Sequence, residues 1–228
     1  MYVALNKGGE FSDSKIVETT KEHYHSAFLI STIRDILKEN GLTPKNIDVI
    51  ATNIGPGSFT GIRACTTVAR VIAQGVDGIK TVGVSSLEIL SRINEAKSKK
   101  QKAKSGDFAS QTRPPLTSHF SPLTLVALDA RKDMAYVAIY ENRKEILPPQ
   151  TMLLEDLKEK IAKNDYFVVT DDKLEPVLGG ISYQKQEDDL GKYLVEIAFE
   201  KLNSEFNTDW RELHPLYIQP PPVGGNSK

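Results

Sequence analysis

Apolar residues along the chain fall into two rhythms, one of period two and one near 3.6. Tyr2 to Leu5 alternates as a strand does, Lys7-Gly8-Gly9 reads as a hairpin turn, and Lys15 to Thr20 supplies the partner strand. From about Glu22 to Asn40 the period becomes helical, and the helix ends at Gly41, where a glycine takes the left-handed cap. The run Ile47 to Thr52 predicts a strand ending at Asn53, followed by a glycine-rich loop and a second helix from Phe59 to Gln74. A strand at Ile79 to Val84 leads to a helix at about Ser86 to Ala96, capped by Ser85 or Ser86. Further on, Leu123 to Ala130 and Met134 to Glu141 form two strands around a tight turn at Arg131-Lys132-Asp133. A helix at Leu154 to Lys163, a strand at Tyr166 to Thr170 and a helix from about Leu190 to Phe206 complete the pattern. Antiparallel strands followed by alternating β and α predict a mixed α/β sheet covered by helices.

The two N-terminal helices are apolar over too wide an angle for one packing surface. At 100° steps, His25, Phe28, Leu29, Ile30, Thr32, Ile33, Ile36 and Leu37 share an arc of roughly 200°, about twice what one contact needs. On the second helix Gly61, Ile62, Ala64, Cys65, Val68, Ala69, Val71, Ile72 and Ala73 do the same, against Arg63, Thr67, Arg70 and Gln74. Half of each arc can pack on a sheet. The other half is covered either by the neighbouring helix or the long segment after residue 96, or by helices of another chain. The small flank at Gly61, Ala64 and Val68 would let a helix approach closely. The interface candidates are therefore His25, Leu29, Ile33 and Ile36 on the first helix, with Gly61, Ala64, Cys65, Val68 and Ile72 on the second.

Composition narrows the function classes. With 39% apolar and 26% charged residues the chain has an ordinary globular balance, and no run of 18 apolar residues is present to cross a membrane. The start shows no signal-peptide pattern, so a cytoplasmic protein is expected. A single cysteine, Cys65, rules out an internal disulfide, and no activating base stands near it in the helical pattern. A net charge of −1 argues against non-specific nucleic-acid binding. The one basic cluster, Lys97 to Lys104, opens a Ser/Gly/Pro/Thr-rich segment reaching about Pro122, read as a solvated insertion between residues 1–96 and 123–219. Residues 220–228 read as a disordered tail.

The glycine loop, Gly55-Pro56-Gly57-Ser58-Phe59-Thr60-Gly61-Ile62-Arg63, invites a phosphate reading. Its spacing fits neither of the phosphate signatures. A nucleotide P-loop requires Lys-Ser or Lys-Thr where Ile62-Arg63 stand, and the dinucleotide pattern requires glycine where Thr60 stands. Ser58 suits an N-cap, and the first-turn amides could still face an anion. His23 and His25 are two apart, the wrong spacing for ligation from one helix face, and Asp48 lacks companion carboxylates, so no metal site is predicted. Asp129, Arg131 and Asp133 are either an acid pair or, more commonly, turn residues satisfied by their own backbone. No catalytic residue is assigned. Trp210, His214 and Tyr217 are expected to anchor the last segment.

Together these motifs resemble a known family. "GPGSFTGIR" before an Ala/Val-rich helix, a preceding helix opening with His25-Ser26, then "VGVSSLEIL" and "ALDARKDMAYVAIY", and finally Pro215-Leu216-Tyr217-Ile218, occur in the order of the TsaB (YeaZ) family. The resemblance implies an actin-like, sugar-kinase-like (ASKHA) fold of two RNase H-like halves. It implies a non-catalytic subunit, without a cofactor of its own, of the bacterial machinery that makes N6-threonylcarbamoyladenosine next to the anticodon of tRNA. Catalysis is expected in a TsaD-like partner that carries the metal, with a TsaE-like ATPase joining and ATP or ADP expected at the junction with TsaD. The first two helices would bind TsaD, or a second copy in a homodimer, and tRNA would be met only through the complex.

Three departures accompany the resemblance. Family members begin with a strand of the type "ILAIDTS", whereas this chain opens on what reads as the second strand, so the first N-terminal strand is expected to be missing through a late assigned start or a damaged copy. Such a gap would leave ladder groups unpaired at a cost of roughly 1–3 kcal/mol each. Gln219 replaces an arginine, and residues 97–122 form a longer connection than in relatives. The rival reading is an ASKHA-type ATPase or kinase acting on a small molecule, which would need a phosphate loop on each half.

Overall fold

The computed structural model describes residues 1–8, 10–17, 25–94, 123–185, 189–204 and 208–218. The expected insertion at 97–122, the tail at 220–228 and His23 lie outside the described residues. In chain order the elements are β1 (Tyr2–Lys7), β2 (Glu10–Ile16), α1 (His25–Glu39), β3 (Val49–Gly55), α2 (Phe59–Gly75), β4 (Lys80–Ser85) and α3 (86–94). There follow β5 (Leu123–Arg131), β6 (Met134–Glu141), β7 (Lys144–Leu153), α4 (Leu154–Lys163), β8 (Tyr166–Thr170), α5 (Glu175–Leu178), β9 (Ile181–Ser182) and α6 (Leu190–Leu202). The chain divides into two units, Met1–Ile89 with Asp189–Lys228, and Leu90–Asp188.

In the first unit β1 and β2 pair antiparallel, with Lys7 opposite Glu10. The second strand begins five residues before the expected Lys15, because Glu10, Ser12, Asp13 and Ser14 are polar and hide a strand that pairing alone creates. It ends at Ile16, and residues 18–20 of the expected strand lie outside the described residues. α1 lays Ile36 and Leu37 on Leu5, with Val3, Ile33, Leu42 and Ile47 packed around them. It stops as expected at Gly41 (φ +67°), where the Leu42 amide donates to the Leu37 carbonyl at 2.8 Å. β3 and β4 pair parallel as a separate two-stranded sheet. α6 packs against β1, β2, β3 and β4. Its N-cap, Asp189, accepts from the amides of Gly191 and Lys192 and from the Ser14 hydroxyl at 2.5 Å, fastening the helix start to β2.

That placement corrects the linear division of the chain. Residues 123–219 were expected to make one half, yet α6 and the segment after it fold with residues 1–89. Apolar periodicity identifies the helix, and only tertiary packing decides which strands it covers.

The second unit is a single five-stranded sheet in the order β7-β6-β5-β8-β9, with β5 antiparallel to β6 and parallel to β8. Leu125, Ala127, Ala135, Val137, Ile139, Leu157, Val168 and Leu174 form its core. The β5–β6 turn holds Arg131, Lys132 and Asp133 all at positive φ, and Asn142-Arg143, also at positive φ, makes the two-residue turn to β7. β7 was not expected, since Pro148 and Pro149 break a strand pattern. It lies at the sheet edge and its register slips around Ile139, which is where a strand tolerates proline.

Candidate functional site

The glycine loop joins β3 to α2 through a compact turn. Gly55 has φ +103°, a conformation that favours glycine, and a Cβ there would stand 2.8 Å from Ile62 Cδ1, the tip of a side chain that would have to shift. Gly55 and Pro56 are buried, while Gly57, Ser58, Phe59 and Thr60 are exposed. Asn53, which the sequence pattern gave no reason to single out, organises the turn. Its Oδ1 accepts from the Gly55 amide and from the Ser86 hydroxyl, both at 2.8 Å. An asparagine two residues before a turn glycine is the signal that could have marked it.

Ser58 caps α2 as expected, its hydroxyl accepting from the Gly61 amide at 3.3 Å while its carbonyl accepts from Ile62 at 2.9 Å. Of the first-turn amides, that of Gly61 is thus engaged by the cap itself. Arg63 turns its guanidinium over the Phe59 ring at 5.1 Å, and Phe59 meets Tyr217 at 5.9 Å between ring centroids. Trp210 stands 5.8 Å from the Arg70 guanidinium and 5.0 Å from that of Arg211. These cation–π contacts and the 2.7 Å bond from the Leu216 amide to the Ile54 carbonyl hold the final segment beside α2. His214, Asp209, Glu212 and Gly83 help line a cavity of about 90 Å³. Small-molecule sites run to roughly 300–1,000 Å³, so this volume is that of a packing gap.

The wide apolar arcs of α1 and α2 separate into an inward and an outward half. Leu29 and Ile36 are buried at 6% and 2% exposure, and Ile33 packs beside them. On α2 the buried residues are Thr66, Ala69 and Ala73, and Gly61, Ala64, Cys65, Val68 and Ile72 are half-buried. Exposed are Phe28 and Ile30 (68%), at opposite edges of the buried stripe of α1, and Val71 (61%) on α2. His25 opens α1, and its side chain lies outside the described residues. α1 and α2 touch each other, so the candidates on the two helices share one region of the first unit. Burial pushes the Cys65 thiol above its ordinary range, the opposite of an activated nucleophile.

Asp129, at the end of β5, is bonded to Lys173 Nζ at 2.6 Å and to the Arg131 amide at 3.0 Å. The Lys173 ammonium holds its carboxyl below the usual carboxylate range. Asp171 accepts from the Asp129, Lys173 and Leu174 amides, so these carboxylates serve turns. Among the described residues no group of three or more His, Cys, Asp or Glu side chains is gathered for a metal ion.

Comparison with known proteins adds the family. The sequence model of the family described as TsaD, tRNA N6-adenosine threonylcarbamoyltransferase, matches residues 15–104. The tRNA threonylcarbamoyladenosine biosynthesis protein TsaB of Bacillus subtilis (strain 168) is 27% identical over 145 residues, 62% of this chain and 53% of that protein. TsaB of Escherichia coli (strain K12) is 35% identical over 63 residues, 28% of this chain and 27% of that protein. These relatives support assignment to the TsaB/YeaZ family. The matched region spans about half the length of the Bacillus TsaB and less of the Escherichia one. Two solved structures from Pseudomonas aeruginosa share the fold. One is of a protein with similarity to peptidase YeaZ (TM-score 0.66, 21% identity, 96% of this chain and 94% of that chain). The other is of YeaZ itself (TM-score 0.63, 21% identity, 95% and 93%). The chain thus has the fold of these two structures, a mixed α/β architecture. No helix among the described residues is long and apolar enough to cross a membrane.

Proposed function

We propose that this chain is a non-catalytic scaffold subunit in the formation of N6-threonylcarbamoyladenosine next to the anticodon of tRNA, binding and activating a TsaD-like catalytic subunit. The observation that carries the reading is the outward flank of α2, where Val71 stands exposed on the side of the half-buried small residues Gly61, Ala64 and Val68, with Phe28 and Ile30 exposed at the two edges of the buried stripe of α1. Exposed apolar side chains on adjoining helices, next to a flank of small residues, suit a helix-on-helix contact. The same flank serves a homodimer when the TsaD-like subunit is absent, and tRNA and a TsaE-like ATPase meet the chain through the assembled complex. ATP or ADP lies at the junction with the TsaD-like subunit. Its phosphates are held by that subunit, because the glycine loop of this chain has neither a lysine nor the glycine spacing of a phosphate loop.

Co-expression with the cognate TsaD-like subunit tests this. A stable 1:1 complex is expected, and the Ile30→Asp/Val71→Asp double variant should bind at least thirty-fold more weakly, since a charge set in an apolar contact costs about 2 kcal/mol or more. Both positions are exposed, so its melting temperature should stay near that of the parent. ATP turnover by the isolated chain, without complex formation, would instead support the kinase reading.

A further inference from the structure

The polar side of α2 is cationic throughout. Its 17 residues include Arg63 and Arg70 and no acid. At 100° steps Phe59, Arg63, Thr67, Arg70 and Gln74 fall within about 80°, a stripe centred roughly 130° round the helix from Gly61, Ala64 and Val68. α2 therefore presents two separate faces, the apolar flank and this stripe.

The final segment widens the stripe. It runs antiparallel to α2, with Tyr217 against Phe59 and Trp210 against Arg70. From end to end the surface reads Tyr217, Phe59, Arg63, Arg70, Trp210 and Arg211, with about 16 Å along the helix axis between Phe59 and Arg70. Phe59 is 48% exposed and Tyr217 52%, so both rings are open to solvent. The guanidiniums of Arg63, Arg70 and Arg211 lie against rings at 5.1, 5.8 and 5.0 Å. Stacking uses the flat face of a guanidinium and leaves its N–H edge for an oxyanion. Arg211 is bonded to Asp209 at 3.1 Å, whereas Arg63 and Arg70 meet no carboxylate among the described residues. Glu212, the other acid of residues 208–218, lines the cavity beside Thr81.

Cationic edges set among open ring faces match a polymer in which phosphates alternate with flat bases. An acidic peptide would engage the arginines and leave Phe59 and Tyr217 unused, and an apolar helix would bury Arg63 and Arg70 without partners. We propose that the stripe of α2 and residues 210–217 form a contact surface for unpaired RNA, with phosphates on Arg63 and Arg70 and a base on Phe59 or Tyr217. The proposal rests on the reading above only for naming that RNA as tRNA. The net charge of −1 confines the contact to this stripe. Two unpaired guanidiniums give a weak site, about 10⁻⁴ M at physiological salt, so the chain holds RNA usefully only inside the complex.

Trp210 is the only tryptophan of the chain, so its fluorescence reports on the stripe. A single-stranded RNA of about ten nucleotides, titrated into the full chain at low salt, should change that fluorescence saturably. Arg63→Gln/Arg70→Gln should weaken binding at least tenfold and flatten the slope of log K against log salt by about 1.4, since each single-strand phosphate contact adds about 0.7. Arg63→Gln alone, at an exposed position that spares the fold, should flatten it by about half as much. Phe59→Ala should weaken binding about fivefold with the slope unchanged. No RNA binding, binding indifferent to both arginines, or an equal response to a glutamate homopolymer would overturn the proposal. Complex formation with the TsaD-like subunit, scored separately on the same variants, should be unchanged, so a failure of RNA binding leaves the scaffold reading standing. A complex lost in the arginine variants while RNA binding persists would overturn the proposal too, placing the stripe in the protein interface.

Discussion

The two units assemble a hairpin and a parallel pair in the same order, yet they finish differently. In the second, β5 bonds to a neighbour on each side and the sheet closes over Leu125, Val137 and Leu157. In the first, two short sheets share α6, and the packed cluster on the hairpin is Leu5 with Ile36 and Leu37. A central strand therefore does more than add its own area. It makes neighbouring strands more interior: three of the five residues of β8 are buried, against two of the seven in β3. The closed unit has the attributes of the stable part of the molecule, and the open unit those of the part that meets other chains.

The largest test of this contrast is truncation within each core. Leu125→Ala, on a fully buried central strand, should cost about 3–5 kcal/mol, and Leu5→Ala about 2 kcal/mol or less, since a thinner core collapses more readily around the cavity. Equal costs in urea titrations would break the contrast. Next comes Gly55→Ala, where positive φ and Ile62 Cδ1 at 2.8 Å both resist a side chain. A loss of about 1–3 kcal/mol is expected, together with displacement of α2 and weaker partner binding. Ser58→Ala should remove about 1 kcal/mol by uncapping α2, read in thermal melts.

The smallest effect belongs to the second unit. Asp129 has its folded pKa depressed chiefly by the hydrogen bond from Lys173. A depressed carboxylate stabilises the fold above its unfolded pKa of about 3.9, and that contribution disappears as pH falls through the lower folded value. Lys173 is largely exposed, so Asp129→Asn should cost no more than about 1 kcal/mol at pH 7, and the gap from the parent should close below about pH 4. A gap that stays constant between pH 7 and pH 3 would remove the pair from the account.

Legibility in the sequence followed the strength of local signals. β6, α4 and β8 were placed with the boundaries observed, because each has a clean period and firm ends. β2 and β7 were misplaced or missed, since a polar hairpin strand and an edge strand with two prolines lack that period. The caps at Ser58 and Gly41 were readable from residue type alone. Asn53 carried a local signal only for its bond to Gly55, two residues on, and none for its bond to Ser86, thirty-three positions away. The helix arcs exposed a surplus of apolar surface, but a period alone gives no indication that Leu29 and Ile36 turn inward while Ile30 and Val71 turn outward. The partner of α6 is likewise a tertiary fact.

The most direct measurement is hydrogen exchange of the whole chain with and without its cognate TsaD-like subunit. The account predicts slowed exchange on α1 around Phe28–Ile30 and on α2 around Gly61–Val71, with β5, β6 and β8 unchanged. Protection centred on the second unit, or none on α1 and α2 in a formed complex, would contradict it.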